Sequence, residues 1–440
     1  MQDIASTISS NDSTALLDQP IADLVDAVAD ERTSCSALAE AVLARIAAQD
    51  GQIKAWTHLD PPQVRASAER LQRTHPPGPL AGVPIGIKDS IDTCDMLTTY
   101  GSPIYSGYRP RADAACVALL RAAGAQIVGK TALTEFAAPY PGPTCNPHDL
   151  ERTPGGSSSG SAAAVAADMV PVALGSQTMG SLIRPAAYCG IVGFKPSWGR
   201  ISPAGMKSQV ADFDHIGVMA RRVDDAARVA ALIATVDASA WQGRLSAPPR
   251  LALFRGPAPE MAEPPAVVAL DRVAQRFAEA GAAIGDVPDD ALLQAACDAQ
   301  IKLLCYEMAR SMVWEWQTHR EQISPLLQSY IETGWSITPD TYKSASGQVA
   351  AARARVADLF GQADAILTYS APGEAPHGLQ NTGDTIFNRL WSVLRLPAIT
   401  LPAGTGPNRL PLGVQIVGRY WDDARLLAVA RWAEAVLSQQ

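Results

Sequence analysis

Between residues 20 and 49, apolar positions recur at helical spacing, Leu24, Val25 and Val28 in one run and Leu38, Ala41, Val42 and Ile46 in the next. That period predicts two helices, with Thr33 and Ser36 at the break able to cap the second. From residue 78 the rhythm changes. Turn residues bracket a short apolar run, Val83 to Ile87, which predicts a buried strand delivering Lys88 to one edge of a sheet. Residues 112–136 then read as helix, strand over 125–128 and loop, the alternation of an α/β sheet. Strand and helix patterns continue to about Val236, and a connection bearing Ser, Pro and Gly follows over 238–249. Beyond it the pattern predicts a strand over 250–256, an amphipathic helix over 265–281 and helices through 290–335. Strands near 364–373, 396–404 and 410–419 and a closing helix over 422–437 complete the chain.

Composition narrows the class. With 440 residues, 47% of them hydrophobic and 18% charged, the chain can bury a sizeable core. Its net charge of −8, with no block of basic residues, offers no footprint for nucleic acid or an anionic membrane. Residues 1–30 are acidic and polar where an export signal needs a basic start and an apolar run. The Ala-rich run over 161–174 is too short to span a bilayer and carries Asp168. Seven cysteines, odd in number and without a CxxC pair, suit reduced thiols rather than a disulfide frame or zinc site. The expectation is a cytoplasmic protein with a small-molecule substrate, no cofactor and no metal.

The densest chemistry lies over 153–201, where Ser157 in GGSSSG and Ser181 in TMGS stand at glycine-rich turns. Glycines admit a substrate close to the backbone, and amides that follow them can bind a developing anion. Three local patterns compete for the chemistry. Gly124 through Gly129-Lys130-Thr131 matches GxxxxGK[ST], but its intervening residues are themselves the apolar strand, so a helix–turn–strand corner explains it better than a nucleotide loop. GSSSG over 156–160 fits GxSxG centred on Ser158, with His215 and His377 downstream. No strand precedes it, and neither histidine has a motif around it. A lysine can replace histidine as base if burial keeps its amine neutral, and Lys88 is placed for that; an ion pair with Asp89 or Asp92 is the plainer reading of the same residue.

GIKDS at 86–90, GGSSSGSAAAVAA at 155–167, GSQTMGSLIRPAAYCGIVGFKPSWGRIS at 175–202 and PLGVQIVG at 411–418 together resemble the amidase signature family of serine hydrolases, in order and spacing. The resemblance implies one α/β domain over 1–440, an α/β/α sandwich with a mixed sheet covered by helices on both faces and a signature core near 78–225. It implies a Ser–cisSer–Lys triad: Ser181 as nucleophile, Ser157 as bridge on a cis peptide, Lys88 as terminal base and acid. It further implies an oxyanion hole from the backbone N–H groups of Thr178, Met179, Gly180 and Ser181. Such a site is consistent with Ser181 opening a helix whose dipole favours an oxyanion.

Three departures mark this chain. Where many members have Asp-Thr-Gly-Gly-Ser then Ile-Arg, it has Gln177, Met179 and an arginine one place later, Arg184. The resemblance therefore favours free-standing amidases, aryl acylamidases or urethanases over the ammonia-donating subunit of tRNA-dependent amidotransferases. The expected reaction is hydrolysis of a C–N bond in a small uncharged amide, aryl amide or carbamate by a monomer or homodimer. The alternatives are a non-catalytic relative and a glutamine amidotransferase subunit. The aromatic and Met residues over 290–345 are expected to wall the substrate site.

Overall fold

A computed structural model describes residues 15–73, 78–287 and 291–439; the start of the chain, where no export signal is expected, lies in part outside them. The strands are β1 (Trp56–Leu59), β2 (Pro84–Lys88), β3 (Gln126–Thr131), β4 (Val172–Gln177), β5 (Val192–Lys195), β6 (His215–Ala220), β7 (Arg250–Leu253), β8 (Ala283–Asp286), β9 (Ala365–Tyr369), β10 (Ala398–Thr405) and β11 (Pro411–Val417). All of them join one eleven-stranded sheet in the order β1-β3-β2-β4-β6-β5-β10-β11-β9-β7-β8. It is mixed: β2 runs parallel to β3 and β4, and β7 to β8 and β9, while the remaining pairs are antiparallel.

Successive strand side chains alternate between two cores, as a pleated sheet covered on both faces requires. Val172 and Leu174 join one core and Ala173 the other; Val218 and Met219 divide the same way, as do Ile366 and Leu367. One face is covered by helices Cys35–Ile53, Ser159–Ala166 and Ala291–Ser311, the other by Ala115–Ala122, Val223–Ile233, Pro264–Glu279 and Asp423–Leu437. The architecture is the α/β/α sandwich expected.

Most differences from the sequence reading are local. The helix Cys35–Ile53 is capped by Ser34, whose Oγ accepts from the Ala37 amide at 3.0 Å, not by Thr33 or Ser36. The strand expected over 125–128 extends to Thr131, so Gly129, Lys130 and Thr131 are strand residues in register with Gly86, Ile87 and Lys88. Strands β1 and β8 had no apolar pattern to announce them; both are short edge strands with partly or fully exposed side chains. Among the described residues no helix is long and apolar enough to cross a membrane.

Candidate active site

The parallel neighbours β2 and β4 end side by side, with Ile87 opposite Leu174, so Lys88 and the segment after Gln177 emerge at one carboxyl edge of the sheet. Such edges are where open α/β sheets bind ligands. Lys88 is fully buried, and its Nζ donates to Ser157 Oγ at 2.7 Å and to Ser176 Oγ at 2.8 Å. Burial lowers its pKa from 10.5 to about 7, against an upward pull from Asp214. The ion pair weighed for Lys88 belongs instead to Lys130, 3.5 Å from Asp89 and donating to Thr98 Oγ1 at 2.7 Å.

Ser157 follows the Gly156–Ser157 peptide, which is cis. Gly155 holds φ +82°, and a Cβ there would lie 2.8 Å from Pro185 Cα, so both conformation and closeness select glycine. Ser157 and Ser181 line one cavity of about 200 Å³ together with Met179, Arg184, Asp384 and Arg389. The Ser158 amide donates to the Ser181 carbonyl at 3.1 Å, tying the two serine turns together.

The 178–181 segment is held by Gln177, noted in the sequence only as a departure, and by Ser392, Gln300 and Asp214, which sequence reasoning missed. Gln177 Oε1 accepts from the amides of Leu182 and Ile183, both at 3.0 Å. Its Nε2 donates at 3.0 Å to Ser392 Oγ, which donates at 3.0 Å to the Met179 carbonyl. Gln300 Nε2 donates to the Thr178 carbonyl at 3.2 Å, and Thr178 Oγ1 to Asp214 Oδ1 at 2.5 Å. In a trans peptide the carbonyl and the following N–H point opposite ways. Fixing the carbonyls of Thr178 and Met179 therefore fixes the amides of Met179 and Gly180 in the opposite sense. Close approach also selects glycine at 180, where a Cβ would lie 2.6 Å from Asn388 Oδ1.

One expectation is corrected here, and the Ser158 pattern set aside in the sequence is accounted for. The helix after Ser181 spans six residues, Ile183–Tyr188, and the amides of Leu182 and Ile183 are taken by Gln177, so Ser181 does not itself open a helix with free leading amides. Ser158 is no exposed elbow: it is fully buried and exchanges 3.2 Å hydrogen bonds with the backbone N–H and C=O of Ser176. Neither histidine is among the residues that line the cavity. His215 Nδ1 lies 2.7 Å from the Phe213 carbonyl, and the exposed His377 lies 3.4 Å from Glu151.

Of the 290–345 stretch, Ile301 and Tyr330 line the cavity. Trp314 and Trp335 are exposed, and Tyr306 stacks on Tyr342 with ring centroids 4.1 Å apart. Burial also lowers Lys195 to about 7, but its Nζ donates to the Leu396 carbonyl. A depressed lysine is thus not sufficient to mark a base; what sets Lys88 apart is its hydroxyl partner in the cavity wall. Among the described residues Cys94, Asp95 and Asp113 could together face a metal, but Arg121 bonds both carboxylates, at 2.6 and 3.0 Å.

Residues 37–427 match the amidase family model. The chain belongs to the amidase family. It is 35% identical, over 89% of its length and 91% of the relative's, to a glutamyl-tRNA(Gln) amidotransferase subunit from Chloroflexus aggregans. Among solved structures it resembles a peptide amidase from Stenotrophomonas maltophilia, at TM-score 0.80 and 28% identity over 96% and 97% of the two chains. It also resembles a 6-aminohexanoate cyclic dimer hydrolase, at TM-score 0.86 and 25% identity over the same shares. Since that relative bears the amidotransferase name, whole-chain likeness does not separate this amidase-family protein from the amidotransferases, which the motif departures had been expected to exclude.

Proposed function

We propose that this protein hydrolyses the C–N bond of a small amide through an acyl-enzyme on Ser181. Neutral Lys88 takes a proton by way of Ser157 from Ser181, whose oxygen attacks the carbonyl. The amides of Thr178, Met179, Gly180 and Ser181 receive the oxyanion. The relay then protonates the leaving amine, and water enters to release the acid by the same steps in reverse. The observation that carries the reading is the 2.7 Å hydrogen bond from a buried, pKa-lowered lysine to a serine that shares a cavity with the proposed nucleophile. Free thiols at all seven cysteines accord with residence in the cytoplasm.

A panel of acetanilide, a primary amide and a carbamate tests the reaction and sorts the anilide and urethane readings. Ser181→Ala is expected to lose at least about a thousandfold in kcat on whichever member is cleaved; full activity in that variant overturns the proposal. Ammonia donation from glutamine within a complex is the second reading, favoured by the amidotransferase name of the curated relative. It predicts glutaminase activity and a stable partner on co-purification.

A further inference from the structure

Met179 carries the longest side chain that the 178–181 segment brings to the cavity. Its neighbour has no room for one, since a Cβ on residue 180 would lie 2.6 Å from Asn388 Oδ1. Met179 is half-buried, lines the cavity and packs against the apolar core of that face, as does Tyr330. Ala137, Ala138, Pro139 and Ile301 complete the apolar lining. The backbone from which the Met179 side chain leaves is fixed, because Ser392 Oγ donates to the Met179 carbonyl at 3.0 Å and Gln300 Nε2 to the Thr178 carbonyl at 3.2 Å. Its Cβ lies two covalent bonds from the amide nitrogen in every rotamer. An oxyanion donor stands about 2.7–3.1 Å from the oxygen it stabilises. A carbonyl held on the Met179 amide is therefore within reach of the Met179 side chain, and so is a group that the carbonyl carbon bears.

We propose that Met179 limits the length of the acyl group, closing the apolar end of the cavity so that the substrate is an amide of a short carboxylic acid. This rests on the amidase reading above and names its substrate class. In that reading the leaving nitrogen faces Ser157, which returns its proton, so the acyl chain takes the remaining direction, along the apolar wall. The cavity holds about 200 Å³, below the roughly 300–1,000 Å³ of pockets that take drug-sized ligands. The Met179 side chain continues past Cβ with Cγ, Sδ and Cε. Met179→Ala removes those atoms, opening room for about two or three methylenes, and keeps the amide N–H.

Acetamide, butyramide, hexanamide and octanamide are compared by kcat/KM from ammonia release, and the matching anilides from aniline release, in wild-type protein and in Met179→Ala. Each result is read as a ratio of two substrates on one protein, which a partly folded variant leaves unchanged. Wild-type protein is expected to prefer butyramide over octanamide by about tenfold or more. Met179→Ala is expected to raise the octanamide-to-butyramide ratio by at least about tenfold. Met179→Leu restores the bulk and is expected to hold that ratio within about threefold of wild type. A wild-type preference for octanamide, or a ratio unmoved by Met179→Ala, overturns the inference. So does a change confined to the anilide-to-amide ratio, which would set Met179 against the leaving group. Failure of the amidase reading shows separately, as release undiminished in Ser181→Ala or absent from wild type. Calorimetric titration of the four amides into Ser181→Ala, with and without Met179→Ala, then decides the length limit by affinity, with the same shift in the octanamide-to-butyramide ratio expected and an unmoved ratio overturning it.

Discussion

Acidification from pH 8 to pH 5 is expected to lower kcat/KM on a neutral amide about a hundredfold, because the proposed base is a lysine whose neutral form disappears in that interval. The magnitude follows from the burial of Lys88. An exposed lysine with a pKa of 10.5 is neutral in roughly one molecule in three thousand at pH 7, whereas a pKa of about 7 makes half of the molecules competent. The interior thus supplies about a thousandfold more base, equivalent to on the order of 5 kcal/mol against protonation. The sign is set by the direction of the shift: a lowered lysine pKa leaves the amine neutral above about 7 and protonates it below. The rate should therefore rise about tenfold per pH unit up to about pH 6, bend over near 7 and level off above 8. His215 does not supply this limb, since burial and Lys195 hold its pKa well below the usual histidine range. The assay is ammonia release from a primary amide over pH 5–9, with Lys88→Ala alongside. That variant is expected to lose about a hundredfold or more at pH 8 and to show no limb near 7. A flat wild-type profile, or the same limb in Lys88→Ala, would refute the reasoning.

Other outcomes follow from the surrounding contacts. Gln177→Leu removes both the acceptor for the Leu182 and Ile183 amides and the donor to Ser392, and is expected to lower kcat about tenfold or more with less change in KM. The accompanying loss of stability, about 1–3 kcal/mol, is read by urea unfolding; unchanged kcat would show that the 178–181 segment needs no such support. Lys130→Met strands the buried Asp89 carboxylate and is expected to destabilise the fold by about 3–5 kcal/mol. Because Gly129, Lys130 and Thr131 lie within β3, wild-type protein is expected to show no ATP binding by calorimetry.

The strands that build the site were legible because burial on both faces makes them continuous apolar runs, as in Val83–Ile87 ahead of Lys88. The P-loop pattern has no loop to offer a phosphate, since its would-be loop residues pair in the sheet. What stayed hidden depends on contacts between distant segments. Nothing near Gln177 points to Ser392, and nothing near Arg184 points to Arg389; each pair is brought together only when helix Ile386–Val393 packs beside the 178–184 segment. The shifted arginine was visible as a departure, but its unpartnered Nε could be seen only in the fold. The aromatic stretch was legible only in part, with Ile301 and Tyr330 in the cavity wall, because helix residues over 290–345 divide between core, surface and cavity, and composition does not say which.

The central claim is that Ser181, and not Ser157 or Ser158, becomes acylated. Labelling with a fluorophosphonate followed by peptide mapping tests it most directly. The account predicts one adduct on Ser181, absent in Ser181→Ala and formed much more slowly in Lys88→Ala. An adduct on Ser157 or Ser158, or labelling that persists in Ser181→Ala, would contradict it.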